Sequence, residues 1–188
     1  MRLFVAIDIN NEIRSRCTKI MESLIESGAD LKTVKPENLH ITLKFLGEVR
    51  EDYVNDISDT LNIFAREFEP FSLNFSVLGY FGGVRFPRII WLGISEGRDV
   101  ISQMATELNK RLSHIRKEDN KPRPHMTLAR VRTPVKSQEL IETIHHLRDV
   151  NLGELYVKEI KLKRSVIKPD GPVYTDMKNF MLGKPSKK

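Results

Sequence analysis

The chain carries the tetrapeptide His-hydrophobic-Thr-Leu twice, as His40-Ile41-Thr42-Leu43 and His125-Met126-Thr127-Leu128. An imidazole titrates near pH 6.5, so of a pair one ring can be neutral and the other charged near neutral pH. In that state one ring takes a proton from a nucleophile while the other gives one to a leaving oxygen. A hydroxyl two residues on can donate to a non-bridging phosphate oxygen as charge builds up in the transition state. Two such pairs are the parts needed for metal-free acid–base chemistry on a phosphate. His40 and His125 are therefore the candidate catalytic residues, with Thr42 and Thr127 as phosphate-binding candidates. His114, His145 and His146 lack this context. His145 and His146 are adjacent and face different directions on a helix, with no Asp, Glu or Cys cluster to supply a third ligand, so no metal site and no cofactor is expected.

The elements that must hold these residues are legible around them. Leu39, Ile41, Leu43 and Phe45 alternate with His40, Thr42 and Lys44. A period of two predicts a strand with the polar trio on one face and the apolar set against a core. Lys44 is then a secondary phosphate candidate. In the second motif Ala129 stands where Lys44 does, and Arg130 where Phe45 does. Strict alternation puts Arg130 on the face opposite His125. Either a bulge or the strand end lets its guanidinium swing toward the phosphate, or Arg130 is an exposed edge residue.

The repeat extends beyond the motifs. His40 and His125 are 85 positions apart (125 − 40), and the same offset places Phe4-Val5-Ala6-Ile7 on Ile89-Ile90-Trp91-Leu92. Each half reads as an apolar strand, an amphipathic helix, a Lys/Pro-containing loop and the His-Thr strand. Two copies predict a duplicated unit with two related lobes whose motif faces converge on one cleft. Helices are expected over about 10–27, 51–68 and 98–115, and a shorter one capped by Ser137. Strands are expected over about 71–77, 154–167 and 172–182, with a flexible turn at Gly79-Tyr80-Phe81-Gly82-Gly83 and a hairpin turn at Lys168-Pro169-Asp170-Gly171. The fold class is α+β, two-lobed, with mainly antiparallel sheets and helices on their outer faces. Residues 1–182 are read as one domain and residues 183–188 as a loose basic tail.

Composition bounds the setting. The 188 residues are 40% hydrophobic and 30% charged, an ordinary globular balance, and no apolar run reaches the length of a membrane span. The single cysteine, Cys17, excludes an internal disulfide and suits a reducing cytoplasm. It falls in register with Ile13, Ile20 and Leu24 on one helical face, a packing position. A net charge of +6 suits a polyanionic partner. Lys32, Lys35, Lys121 and Arg123 flank the motifs and are candidates for an RNA backbone, or solvated loop residues. Tyr80, Phe81 and Phe86 are candidates for base stacking, or for core packing.

At these residues the chain resembles the two-histidine phosphoesterase superfamily, defined by paired H-x-T-x motifs, and looks closest to the RNA 2′,3′-cyclic phosphodiesterases, also called 2′-5′ RNA ligase-like proteins. The similarity runs from Arg2-Leu3-Phe4-Val5-Ala6-Ile7 through the segment from Pro36 to Gly47, then Pro87-Arg88-Ile89-Ile90-Trp91-Leu92-Gly93. It continues over Arg123-Pro124 and the second motif to Arg130, and ends at Gly171-Pro172-Val173-Tyr174. The resemblance implies a cytoplasmic, metal-independent, monomeric enzyme that opens a 2′,3′-cyclic phosphate at an RNA 3′ end, such as that of a tRNA fragment, leaving a 2′-phosphate. It implies His40 as proton donor to the leaving 3′-oxygen and His125 as the acceptor that activates water, with Thr42 and Thr127 on the phosphate. The residues alone leave the two histidine roles interchangeable. A 2′-5′ RNA ligase, a phosphodiesterase for another cyclic or 2′-5′ phosphate, and a non-catalytic RNA-binding module are the alternatives.

Overall fold

The computed structural model describes residues 1–184. The apolar run Arg2–Asp8 forms β1, buried along almost its whole length. Asn10 then caps α1, Asn11–Glu26, its side chain accepting the Ile13 N–H at 2.8 Å. Ile13, Cys17, Ile20, Met21 and Leu24 are the buried stripe of this helix. Gly28, with φ of +74°, turns the chain out of it, a backbone angle that a side chain rarely adopts. A three-residue strand β2, Leu31–Thr33, and a 3₁₀ turn at Pro36–Asn38 lead into β3, His40–Glu48, the first motif strand.

The second half repeats this order. A 3₁₀ turn at Glu51–Tyr53 and α2, Val54–Ala65, replace the single helix expected over 51–68. Then come β4, Phe71–Gly83, and β5, Phe86–Ile94, followed by α3, Arg98–Arg111, and the second motif strand β6, His125–Val131. The expected turn at 79–83 is strand: Gly79 to Gly83 continue β4 and pair with Phe86 to Trp91, so the reversal is at residues 84–85. Helix α4 spans Ser137–His146. Ser137 does not cap it; Lys136, in the left-handed region, occupies the cap position while the Ser137 hydroxyl donates to the Pro134 carbonyl. The chain closes with β7, Glu154–Val157, β8, Glu159–Lys168, and β9, Gly171–Met181. The single strand expected over 154–167 is divided at Lys158, where the chain crosses from one sheet to the other.

All pairings are antiparallel, in a four-stranded sheet of order β3-β1-β8-β9 and a five-stranded sheet of order β2-β6-β5-β4-β7. The repeat is visible in these orders: β3-β1 matches β6-β5, each motif strand lying outside the strand that opens its half. The lobes, however, are not the two halves of the chain. Helix α1 packs against β6 and α4, while α3 packs against β3, and β2 joins the edge of the second sheet. Helices α2 and α3 thus serve the first sheet, and α1 and α4 the second. One continuous core joins them, from Val5, Ile41 and Leu162 to Ile90, Leu128 and Met126. Gly183 is tied to this body, its N–H donating to the Ala65 and Phe68 carbonyls; residues 185–188 of the expected tail lie outside the described residues.

Candidate active site

Each motif strand carries a one-residue bulge at the same place. On β3, Thr42 lies opposite Ala6 and Lys44 opposite the next residue, Val5, leaving Leu43 extra. On β6, Thr127 lies opposite Trp91 and Ala129 opposite Ile90, leaving Leu128 extra. A bulge of this kind reverses which face the following residues present. Before it, His40 and Thr42, like His125 and Thr127, are half-buried on the site face while Ile41 and Met126 are buried. After it the phases swap. Lys44 and Ala129 are buried, and Phe45 and Arg130 face outward.

Two sequence expectations are settled by this register. Arg130 lies on the face of His125 and Thr127, as the bulged alternative required. Lys44 leaves the site face. Only 1% exposed, it is enclosed under the first sheet with its ammonium donating to Asn109 Oδ1 at 2.7 Å and to Glu118 Oε2 at 3.0 Å. It is a core cation with dedicated partners, not a phosphate ligand. Phe45, expected in the core, is 48% exposed.

The two imidazoles are held in the same way. Nδ1 of His40 donates to the Asn38 carbonyl at 2.6 Å, and Nδ1 of His125 donates to the Arg123 carbonyl at 2.5 Å. A carbonyl only accepts, so these bonds place the proton on Nδ1 and leave Nε2 of the neutral ring as the acceptor. Nε2 of His40 lies 3.0 Å from the Thr42 hydroxyl. Motif strands β3 and β6 lie side by side although no sheet hydrogen bonds join them, and the rings are near enough for His125 to depress the proton affinity of His40.

The surroundings differ. The His40 ring packs against Phe4 at 5.0 Å and, edge-on, Tyr174 at 5.4 Å. Burial pushes its pKa below the usual imidazole value; the Asn38 carbonyl and Asp8 oppose this, and Lys163 and His125 add to it. Tyr174 is itself pushed up by burial, against the nearby charges of Arg130 and Arg2. Arg130 from the second sheet thus reaches the environment of a residue on the first. His125 instead stands perpendicular to Phe81 at 5.1 Å, with Trp91 behind at 6.5 Å. Of the stacking candidates, Phe81 alone meets a motif histidine ring; Tyr80 and Phe86 pack against the core.

Sequence reasoning missed a charged group beside His40. Lys161 and Lys163 on β8 each bridge Asp8 of β1 and Asp176 of β9, at 3.0 and 2.7 Å for Lys161 and 2.9 and 2.6 Å for Lys163. The square is partly buried. It raises the pKa of Lys161 and, through both lysines, lowers that of Asp176 against the opposing effect of burial. Alternation along 159–163 was the available signal, but the partners come from strands distant in sequence. Lys32 pairs across β2 and β6 with Arg130. Arg123 contributes its carbonyl to His125, whereas among the described residues Lys35 and Lys121 make no contact that assigns them a role. Among the described residues no three His, Cys, Asp or Glu side chains gather as a metal site.

The duplication has a counterpart in known proteins. A family model described as LigT-like phosphoesterase matches the chain twice, over residues 7–91 and 92–174. The chain belongs to this family. This LigT-like phosphoesterase is 35% identical over 183 residues to a Methanothermobacter thermautotrophicus protein named RNA 2′,3′-cyclic phosphodiesterase, covering 97% of this chain and 99% of that one. A Thermotoga maritima protein of the same name is 38% identical over 176 residues, covering 93% and 91%. Among solved structures, one from Thermus thermophilus matches with a TM-score of 0.80 at 30% identity, over 98% of this chain and 100% of that one. Escherichia coli LigT complexed with 3′-AMP matches with a TM-score of 0.75 at 25% identity, over 97% and 98%.

Proposed function

We propose that this LigT-like phosphoesterase hydrolyses RNA 2′,3′-cyclic phosphate ends to 2′-phosphates by two-histidine acid–base catalysis, without a metal ion. The observation that supports the reading is the matched pair of bulged strands lying side by side, each with an Nδ1-anchored imidazole and a threonine on one face, joined on β6 by Arg130. The names of its relatives support the reaction class.

In this reaction the 3′-oxygen leaves as water attacks the phosphorus from the opposite side. His125 takes the proton from water and His40 gives its proton to the 3′-oxygen. A P–O bond to water forms, the P–O3′ bond breaks, and the two imidazoles have exchanged protonation states. Thr42, Thr127 and Arg130 stabilise the non-bridging oxygens. Two features favour these roles over their reverse. His125 borders an open groove through which water can arrive. His40 is enclosed by Phe4 and Tyr174, which suits a group that meets a bound ribose oxygen. Its depressed proton affinity also makes its imidazolium the stronger acid, while the bound anion helps to keep it protonated. We read residues 1–182 as one domain, working as a monomer in the cytoplasm.

Incubation with an RNA ending in a 2′,3′-cyclic phosphate should yield the 2′-phosphate, undiminished by chelator. His40→Ala and His125→Ala should each lower kcat by about 10²–10⁴-fold with the fold intact by circular dichroism. Full activity in either variant removes the two-histidine mechanism. A 3′-phosphate product removes the assignment of the 3′-oxygen as the leaving group.

A further inference from the structure

The leaving 3′-oxygen stays on the ribose, so the nucleoside that carries it lies on the side of the cleft that bears His40. The RNA before that nucleoside therefore starts over the first sheet. Along β1, Asp8 lies opposite His40 and Ala6 opposite Thr42, so Arg2, Phe4, Ala6 and Asp8 share the face of the motif. On β8, Lys161, Lys163 and Ser165 lie opposite Ala6, Phe4 and Arg2. On β9, Asp176 lies opposite Lys163, and Tyr174 opposite Ser165.

The charges on this face are unevenly used. Lys161 and Lys163 are held by Asp8 and Asp176, two cations against two anions. The next row is Arg2, Ser165 and Tyr174, a guanidinium and two hydroxyls. Arg2 is exposed, and Ser165 and Tyr174 are half-buried. Glu48 lies opposite Arg2 on β3, but its carboxylate turns to the Met1 ammonium at 3.6 Å; among the described residues Arg2 has no ion pair.

Tyr174 ties this row to the reaction. Its ring packs edge-on against His40 at 5.4 Å, and its hydroxyl feels the charges of both Arg130 and Arg2. Arg2 stands four positions before Ala6 (6 − 2), roughly 13 Å along the strand at about 3.3 Å per residue. A guanidinium reaches back over part of that span, which leaves room for one nucleotide. We infer that Arg2, Ser165 and Tyr174 form a subsite for the phosphodiester on the 5′ side of the terminal nucleotide, which makes an RNA end a better substrate than a free cyclic nucleotide. This rests on the histidine roles given above. Arg2 supplies charge and two parallel donors, and each hydroxyl supplies one more.

Two nucleotides read the subsite without turnover. Adenosine 2′-phosphate carries only the product phosphate, and adenosine 2′,5′-bisphosphate adds one where the preceding phosphodiester would begin. By isothermal titration calorimetry the bisphosphate should bind about tenfold more tightly, the range of one charge-assisted contact, and the margin should shrink as salt rises. Arg2→Ala should erase the margin, and Tyr174→Phe, which keeps the ring against His40, should reduce it. Turnover should show the same selectivity. In the wild-type protein kcat/KM for ApA ending in a 2′,3′-cyclic phosphate should exceed that for adenosine 2′,3′-cyclic phosphate, through KM, and Arg2→Ala should bring the two together. A wild-type protein that binds the two nucleotides alike, or neither, overturns the subsite. So does a margin that survives Arg2→Ala, or an Arg2→Ala variant that loses affinity for both alike. Failure of the hydrolysis itself would instead appear as no turnover of either cyclic substrate, while the calorimetric margin would still decide the subsite.

Discussion

Arg130 and Phe45 occupy equivalent places in the duplicated strands, and this is where the two sides of the cleft differ chemically. The first side presents an aromatic ring and the second a guanidinium, which pairs with phosphate oxygens through two parallel donors. Arg130→Ala should therefore lower kcat/KM by about ten- to a hundredfold, the range of a lost charge-assisted hydrogen bond; Arg130→Lys should restore only part. Unchanged kinetics for the alanine variant would make Arg130 a surface residue. His40 gives a second prediction. Its pKa is depressed by burial, with Lys163 and His125 adding to the effect and the Asn38 carbonyl and Asp8 opposing it. In the proposed role of acid His40 must carry a proton, so kcat/KM should fall as pH rises through that lowered value. Lys163→Met removes a cation and leaves Asp8 with Lys161 alone as its partner, and both changes raise the proton affinity of His40. The alkaline limb should move to higher pH, and a limb that stays put or moves down would count against this link. The types of the four motif residues were legible because the chemistry needs them. The role of Lys163 was not, because it depends on which strands become neighbours.

The bulge is the element that strict alternation could not place. It adds no unusual residue to either motif: Leu43 and Leu128 look like ordinary core positions, and both are buried. The clue was the mismatch at Arg130, a cation at a position that alternation assigned to the core. The same reasoning failed for Lys44, since a lysine two residues beyond Thr42 reads naturally as a site residue. Its destination became clear only with the 116–124 loop in place, where Glu118 also fixes the turn by accepting from Asn109 and donating its N–H back. A buried ammonium that loses its carboxylate is costly, whereas an apolar side chain of similar length is tolerated there. Glu118→Ala should thus destabilise the fold by about 3 kcal/mol, while Lys44→Met should cost much less and leave kcat/KM unchanged. Denaturant titration of both variants checks the order; a large loss of turnover in Lys44→Met at intact stability would return Lys44 to the site. On α1 the helical period was decisive. Cys17 is buried and its thiol is pushed up to about 12 by that burial. A thiol reagent should label it only on unfolding, and rapid labelling of the native protein would refute the packing role.

At the scale of the molecule, the repeat predicted two related lobes, and the strand orders bear out that symmetry. What the repeat could not convey is the exchange between halves: α1 seated on β6, α3 on β3, and the chain crossing back at Lys158 so that β8 and β9 complete the sheet opened by β1. Such connections are set by long-range packing, which a local period of two or 3.6 does not encode. The exchange has a mechanical consequence for catalysis, since His40 and His125 keep their spacing only while both sheets share one core. The two lobes should accordingly unfold together. Leu162, on β8 in the first sheet, is fully buried, so Leu162→Ala should cost about 2–5 kcal/mol. Trp91 lies in the second sheet and reports that lobe alone, whereas circular dichroism reports both. If the lobes are one cooperative unit, the variant lowers the Trp91 fluorescence midpoint by the same amount as the circular dichroism midpoint. If the Trp91 transition stays in place while circular dichroism splits into two steps, the lobes unfold separately and the shared core does not couple the histidines.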